Sequence, residues 1–294
     1  MKYGSAATFR QALEDRLKER GGRDGARIAR LRKQVAFDRL LARLAEVAPG
    51  IWALKGGFAL ELRLADRART TMDVDLAWSG DANELLDTLL DAVTADLGDF
   101  FSLTIERTVD QPDRFGGAHR FRVATSLAGR LFETFPLDVG EGGAYLGELE
   151  FLTTPDLLGF AGIDQVEVPA IPVTRQAAEK LHAYTRRYEG DRPSSRTKDL
   201  VDLALIAHLF TLDAAALGLE LRRVFEGRDT HNLPAELPNP PADWRAPYRQ
   251  LAAEVGIEGD LDAGRRAVAA LLDPILQNRV SSGMWDPEAG QWNA

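Results

Sequence analysis

The chain has 294 residues, 45% of them hydrophobic and 28% charged, with a net charge of −9. That allows one large domain or two modest ones around a real core. Cysteine is absent, which excludes disulfides, thiolate metal sites and cysteine nucleophiles. No apolar run reaches the length of a membrane span. Residues 1–20 hold no apolar signal core, so a cytoplasmic protein without a membrane partner is expected. An acidic chain is a poor match for nucleic acid overall, yet the bases are clustered. Arg10, Arg16, Lys18, Arg20, Arg23, Arg27, Arg30, Arg32, Lys33, Arg39 and Arg43 precede Arg63, Arg67 and Arg69. Such clustering leaves room for an RNA-binding face, against the alternative of plain solvated helices.

Residues 6–20 read as an amphipathic helix stopped by Gly21-Gly22. Residues 24–47 read as a longer helix with two apolar stripes. Ile28, Leu31 and Val35 form one, and Phe37, Leu40, Leu41 and Leu44 the other. The stripes face nearly opposite ways, so a kink near Ala36 or burial on two sides is expected.

Residues 51–78 are the informative stretch. They read as a strand over 51–54, a Gly56-Gly57 turn, a helix over 58–64, a basic loop and a strand over 73–78. In the second strand Val74, Leu76 and Trp78 take one face, and Asp73 and Asp75 the other. The two carboxylates then stand side by side, with Cα atoms about 6.6 Å apart. Like charges that close repel unless a cation lies between them. Carboxylate oxygens suit Mg²⁺, which keeps positions open for substrate phosphate. The glycines let a phosphate approach backbone amides at a helix start. A phosphate cradle followed by paired acids points to phosphoryl or nucleotidyl transfer. The plainer alternative is a turn followed by a solvated strand end.

Further along, Asp81 or Asn83 is expected to cap a helix reaching residue 97. Strands follow over 100–109, 119–127 and 130–139, the last two as a hairpin about Ala128-Gly129. The loop between the first two contains Asp110, Pro112, Asp113, Gly116 and Gly117. Asp138 ends the third strand before Gly140-Glu141-Gly142-Gly143. Pro136 sits awkwardly there, because proline is poorly tolerated inside a central strand. A short strand is expected over 148–152 and a domain boundary near residue 150. The second half reads as helices over 175–188, 196–210, 213–226, 248–255 and 262–279, with a loop at 191–195. A polar tail over 280–294 carries Trp285 and Trp292 and either docks or frays.

The order Gly56-Gly57, helix, Asp73-Val74-Asp75 resembles the abortive-infection type E (AbiEii) nucleotidyltransferase toxins, which include mycobacterial toxins that add nucleotides to tRNA. Glu179-Lys180-Leu181-His182-Ala183 and Lys198-Asp199-Leu200-Val201-Asp202 extend the likeness. The resemblance implies an α+β protein. Residues 1–150 would form a polymerase-beta-like nucleotidyltransferase domain with a mixed sheet, and residues 151–294 a mainly helical one. It implies Asp138 as a third carboxylate beside Asp73 and Asp75, around a two-metal Mg²⁺ site. It puts Lys180 in the role of triphosphate or active-site lysine and Asp202 in that of a distal essential aspartate. The implied activity is transfer of a nucleoside monophosphate from an NTP to the 3′ end of tRNA, blocking translation, with a cognate antitoxin protein as partner. Two other readings stay open. One is transfer to a small hydroxyl compound of the aminoglycoside kind, whose positive charge suits an acidic protein. The other is a non-catalytic nucleotide- or partner-binding module. Thr70 and Thr71, just before the Asp pair, are candidates for regulatory phosphorylation, since a phosphate there would repel a triphosphate.

Overall fold

A computed structural model describes residues 1–108, 118–141, 146–186 and 196–293. The expected loops at 110–117 and 191–195, the pair Gly142-Gly143 and the expected ends at Val109 and Tyr188 lie outside the described residues. The chain divides into two compact units. One comprises Met1–Ala65 and Thr70–Ile171, and the other Asp66–Arg69 and Pro172–Ala294. Among the described residues no helix is long and apolar enough to cross a membrane.

The first unit opens with α1 (Ala6–Gly21) and α2 (Gly25–Val47). Asp24 caps α2 by accepting from the amides of Ala26 and Arg27. The two stripes of α2 are resolved by burial on both sides, since Gln34 to Leu41 are all buried in one unbroken helix. Then come β1 (Trp52–Lys55), α3 (Gly56–Leu64), β2 (Val74–Trp78) and α4 (Leu85–Thr94). Neither Asp81 nor Asn83 caps α4. Its N-cap is Glu84, and the Asp81 carboxylate instead accepts from the Asn83 amide at 2.8 Å. The remaining strands are β3 (Phe101–Arg107), β4 (Ala118–Leu127), β5 (Arg130–Glu141), β6 (Glu150–Thr153) and β7 (Glu167–Ala170).

These strands form a mixed seven-stranded sheet in the order β3-β4-β5-β2-β1-β7-β6. β4 and β5 make the expected hairpin, and β2 runs parallel to β5. Trp52, Leu54, Val74, Leu76, Leu137 and Val139 point into a core shared with Phe9, Phe37, Leu40 and Phe58 of the helices. Helices therefore cover one face, and alternation leaves Lys55, Asp75 and Asp138 on the other. Pro136 fits because pairing of β2 with β5 starts one residue later, at Val74 and Leu137.

Many of the N-terminal bases are internal fasteners. Arg39 and Arg43 are 3% and 1% exposed and share Asp99. Arg30 pairs with Glu61 at 2.6 Å, Arg32 with Glu14 at 2.5 Å and Lys33 with Glu133 at 3.5 Å. Arg16, Lys18, Arg20, Arg23 and Arg27, in the second half of α1 and around the α1–α2 turn, remain exposed. The basic face expected over residues 1–43 is correspondingly reduced.

The second unit is helical: α5 (Val173–Thr185), α6 (Thr197–Leu209), α7 (Ala214–Arg228), α8 (Arg245–Val255) and α9 (Leu261–Leu276). The tail docks as a small hairpin, β8 (Met284–Asp286) and β9 (Gln291–Asn293). Indole N–H groups fasten it. Trp285 donates to the Ala207 carbonyl at 2.7 Å and Trp292 to the Leu271 carbonyl at 3.0 Å.

Candidate active site

Register across four strands builds the first cluster. Lys55 on β1 is the partner of Asp75 on β2, Asp75 of Asp138 on β5, and Asp138 of Arg120 on β4. The result is a row of cation, acid, acid and cation on the sheet face opposite the helices. Parallel neighbours lie about 4.8 Å apart, so the two carboxylates would repel without their flanking cations. Arg120 grips Asp138 with both arms, Nε to Oδ1 at 2.6 Å and Nη2 to Oδ2 at 2.5 Å. The Lys55 ammonium reaches over β2 toward β5, since a Cβ on Gly140 would lie 2.9 Å from its Nζ.

The turn fits around Asp75. Gly56 has φ +69°, and a Cβ there would stand 2.0 Å from Asp75 Oδ2. Glycine is therefore required twice, for the backbone angle and for the close approach. Gly57 lies in the first turn of α3, whose N-cap residue, Lys55, makes no side-chain capping bond. Asp73 is steadied from its own loop. The buried Thr71 hydroxyl donates to Asp73 Oδ1 at 3.0 Å. Thr71 is thus 2% exposed, whereas Thr70 is exposed.

The second cluster belongs to the helical unit. Lys180 on α5 donates to Asp199 Oδ1 at 3.0 Å and to Asp202 Oδ2 at 2.6 Å, both on α6. Arg69 adds a bidentate pair to Asp202, at 2.9 and 3.0 Å. All three of Lys180, Asp199 and Asp202 are buried. Burial pushes the Lys180 ammonium down, but Asp202 and Asp199 outweigh it and leave it above the ordinary lysine value. Burial pushes Asp202 up, but Lys180 and Arg69 outweigh it and hold the carboxyl below its ordinary value. Lys180 is therefore a fixed cation at neutral pH and Asp202 a fixed anion. The neighbouring His182 is structural. Its Nε2 bonds Thr230 at 2.8 Å, and burial followed by the Arg228 charge lowers its pKa to about 3.

Asp75 and Asp138 are brought together in the first unit, and Lys180 and Asp202 in the second. Lys55, Arg120 and Asp199 carried no assigned role in the sequence, and Thr71 was not legible there as a support for Asp73. Alternation in 52–55 places Lys55 opposite the buried Leu54 and was the one available signal. Hard carboxylate oxygens and a glycine pressed against one of them suit a divalent cation. Among the described residues no group of three His, Cys, Asp or Glu stands ready to hold a metal ion. The acids present fit such an ion by their chemistry, with Asp138 engaged by Arg120 as the sheet stands.

A glycine turn leading from a strand into a helix, followed by a strand whose Asp75 pairs with Asp138 of the neighbouring strand, is the arrangement of a nucleotidyltransferase-class protein. The family model for nucleotidyl transferase AbiEii toxins of type IV toxin–antitoxin systems matches residues 39–274. The chain belongs to that family. Its fold is similar to that of MenT4, a nucleotidyltransferase toxin of Mycobacterium tuberculosis H37Rv, with TM-score 0.56 and 19% identity over 92% of this chain and 98% of that one. Two Helicobacter pylori structures match less closely. JHP933 has TM-score 0.44 and 16% identity, covering 84% of this chain and 90% of its own. A putative nucleotidyltransferase has TM-score 0.42 and 16% identity, covering 85% and 94%. No curated protein sequence matches the chain.

Proposed function

We propose that this protein transfers a nucleoside monophosphate from an NTP to the 3′ end of tRNA and thereby blocks translation until a cognate antitoxin protein restrains it. The observation that carries the reading is the pairing of Asp75 with Asp138 across adjacent strands, with Gly56 closed against Asp75. Asp73, Asp75 and Asp138 would hold Mg²⁺. When bound, that ion lowers the pKa of an acceptor hydroxyl and offsets charge at the α-phosphate. Asp138 takes the hydroxyl proton as the oxygen attacks the α-phosphorus and the bond to the β-phosphate breaks. The departing pyrophosphate is met by amides of the Gly56-Gly57 turn and by Lys55. Within the helical unit, Asp199 and Asp202 would hold Lys180 as a fixed charge, the role of triphosphate or active-site lysine that the family resemblance gives it. A phosphate on Thr70 would add negative charge beside the acids. One on Thr71 would also remove the proton donated to Asp73.

The test incubates the purified protein with total tRNA, Mg²⁺ and each labelled NTP in turn, beside Asp75→Ala. Label entering tRNA with the unaltered protein alone supports the reading. Label entering a small hydroxyl acceptor instead of RNA, or equal labelling by Asp75→Ala, overturns it.

A further inference from the structure

Asp138 cannot serve a cation and Arg120 at once. Both of its oxygens accept from one guanidinium, at 2.6 and 2.5 Å. The pair is not a buried fastener like Arg43 and Asp99. The Arg120 side chain is 32% exposed and Asp138 17%, against 1% and 2% for the buried pair. Arg120 extends from β4 on the same sheet face as the acids, and the exposed Arg122 follows two residues along on that face. The backbone of β4 is held by ladders to β3 and β5, so a change of partner at Arg120 is a movement of its side chain.

We infer that Arg120 exchanges partners: it grips Asp138 before substrate arrives, yields that carboxylate to a divalent cation, and then pairs with the incoming triphosphate. Carboxylate and phosphate are the two anions that match the planar fork of arginine bidentately, so the exchange conserves hydrogen bonding. It also conserves charge along the row. While Arg120 holds Asp138, the row Lys55, Asp75, Asp138, Arg120 carries two cations and two anions. When the cation arrives with nucleotide, its added positive charge is matched by phosphate. The exchange makes cation and nucleotide binding interdependent and disfavours a bare cation on the acids. This inference rests on the proposed nucleotidyl-transfer site and deepens it.

The experiment measures Mn²⁺ binding to the nucleotide-free protein by electron paramagnetic resonance. It also measures the KM and kcat of transfer with ATP, CTP, GTP and UTP in turn. Arg120→Met, Arg120→Lys and Asp75→Ala are compared with the unaltered chain. Arg120→Met is expected to bind Mn²⁺ about 5-fold or more tightly, having lost the competitor. Its nucleotide KM is expected to rise about 10-fold, with a smaller change in kcat. Arg120→Lys, which keeps charge without the fork, should fall between. Thermal melting of each variant confirms folding, and Arg120→Lys carries the test should Arg120→Met unfold. If Asp75→Ala abolishes Mn²⁺ binding and transfer while both Arg120 variants match the unaltered chain, the exchange is refuted and the site stands. If Asp75→Ala leaves both intact, the transfer site itself is wrong.

Discussion

Two glycines with nearly the same backbone angle separate strain from collision. Gly50 has φ +82° and nothing within 4 Å of a Cβ placed on it, while Gly56 has φ +69° and Asp75 Oδ2 at 2.0 Å. An L-residue held in the left-handed region costs about 1–2 kcal/mol. Gly50→Ala should show that cost alone, lowering the melting temperature by about 2–4 °C per kcal/mol for a domain of this size. Gly56→Ala adds a contact no rotamer can relieve, since the Cβ position is fixed by the backbone. Overpacking of that kind costs about 1–3 kcal/mol more. The larger consequence is chemical. Either Asp75 moves off its place in the row or the turn moves off Asp75. Nucleotidyl transfer should therefore drop by about 100-fold or more in Gly56→Ala and remain near normal in Gly50→Ala. Urea unfolding and tRNA labelling, run on both variants, decide the matter. Equal destabilisation of the two, with transfer retained in Gly56→Ala, would refute the idea that the turn is fitted to the carboxylate.

Lys180→Met leaves Asp199 and part of Asp202 buried without their shared ammonium. It should cost about 3–5 kcal/mol in denaturant unfolding. Acid stability follows from His182 and Asp202. His182 is held neutral, with a pKa lowered to about 3. As pH falls below about 6.5, the unfolded chain takes up a proton that the folded one refuses. Stability should drop from there toward pH 3, and His182→Gln should flatten that slope in melting curves taken across pH. Asp202, held low by Lys180 and Arg69 after outweighing burial, stabilises the fold above about pH 3.9. That contribution is lost at still lower pH. Trp285→Ala removes a buried indole and its bond to Ala207. It should destabilise the helical unit by about 3–5 kcal/mol in calorimetry.

Features written within a short stretch were legible in the sequence. Alternation in 74–78 placed Val74, Leu76 and Trp78 inside and Asp75 on the opposite face, while Asp73, expected in the same strand, lies just before it. Gly56-Gly57 marked the turn, and Ala128-Gly129 marked the β4–β5 hairpin. Features that depend on distant partners were not legible. Arg39 and Arg43 read as surface bases because their partner Asp99 lies 60 and 56 residues away. Asp199 stood in the sequence only as a member of a motif with no role of its own, yet α5 brings Lys180 onto both Asp199 and Asp202. Pro136 read as an obstacle because sequence does not say where β2 begins to pair.

The site itself is a product of register. Asp75 and Asp138 meet because β2 and β5 run parallel, and parallel strands cannot be joined by a tight turn. Residues 79–129 supply the long crossover: α4 packs on the helical face, and β3 and β4 extend the sheet beyond β5 before β5 returns beside β2. That excursion also delivers Arg120, since β4 must flank β5 for the hairpin to close. A one-residue slip of β5 against β2 would turn Asp138 into the core and expose Leu137 and Val139. Both of these are 0% exposed, as are their β2 partners Val74 and Leu76. The apolar pattern of the two strands therefore fixes the placement of the carboxylates, and burial of four aliphatic side chains on one face aligns the chemistry on the other.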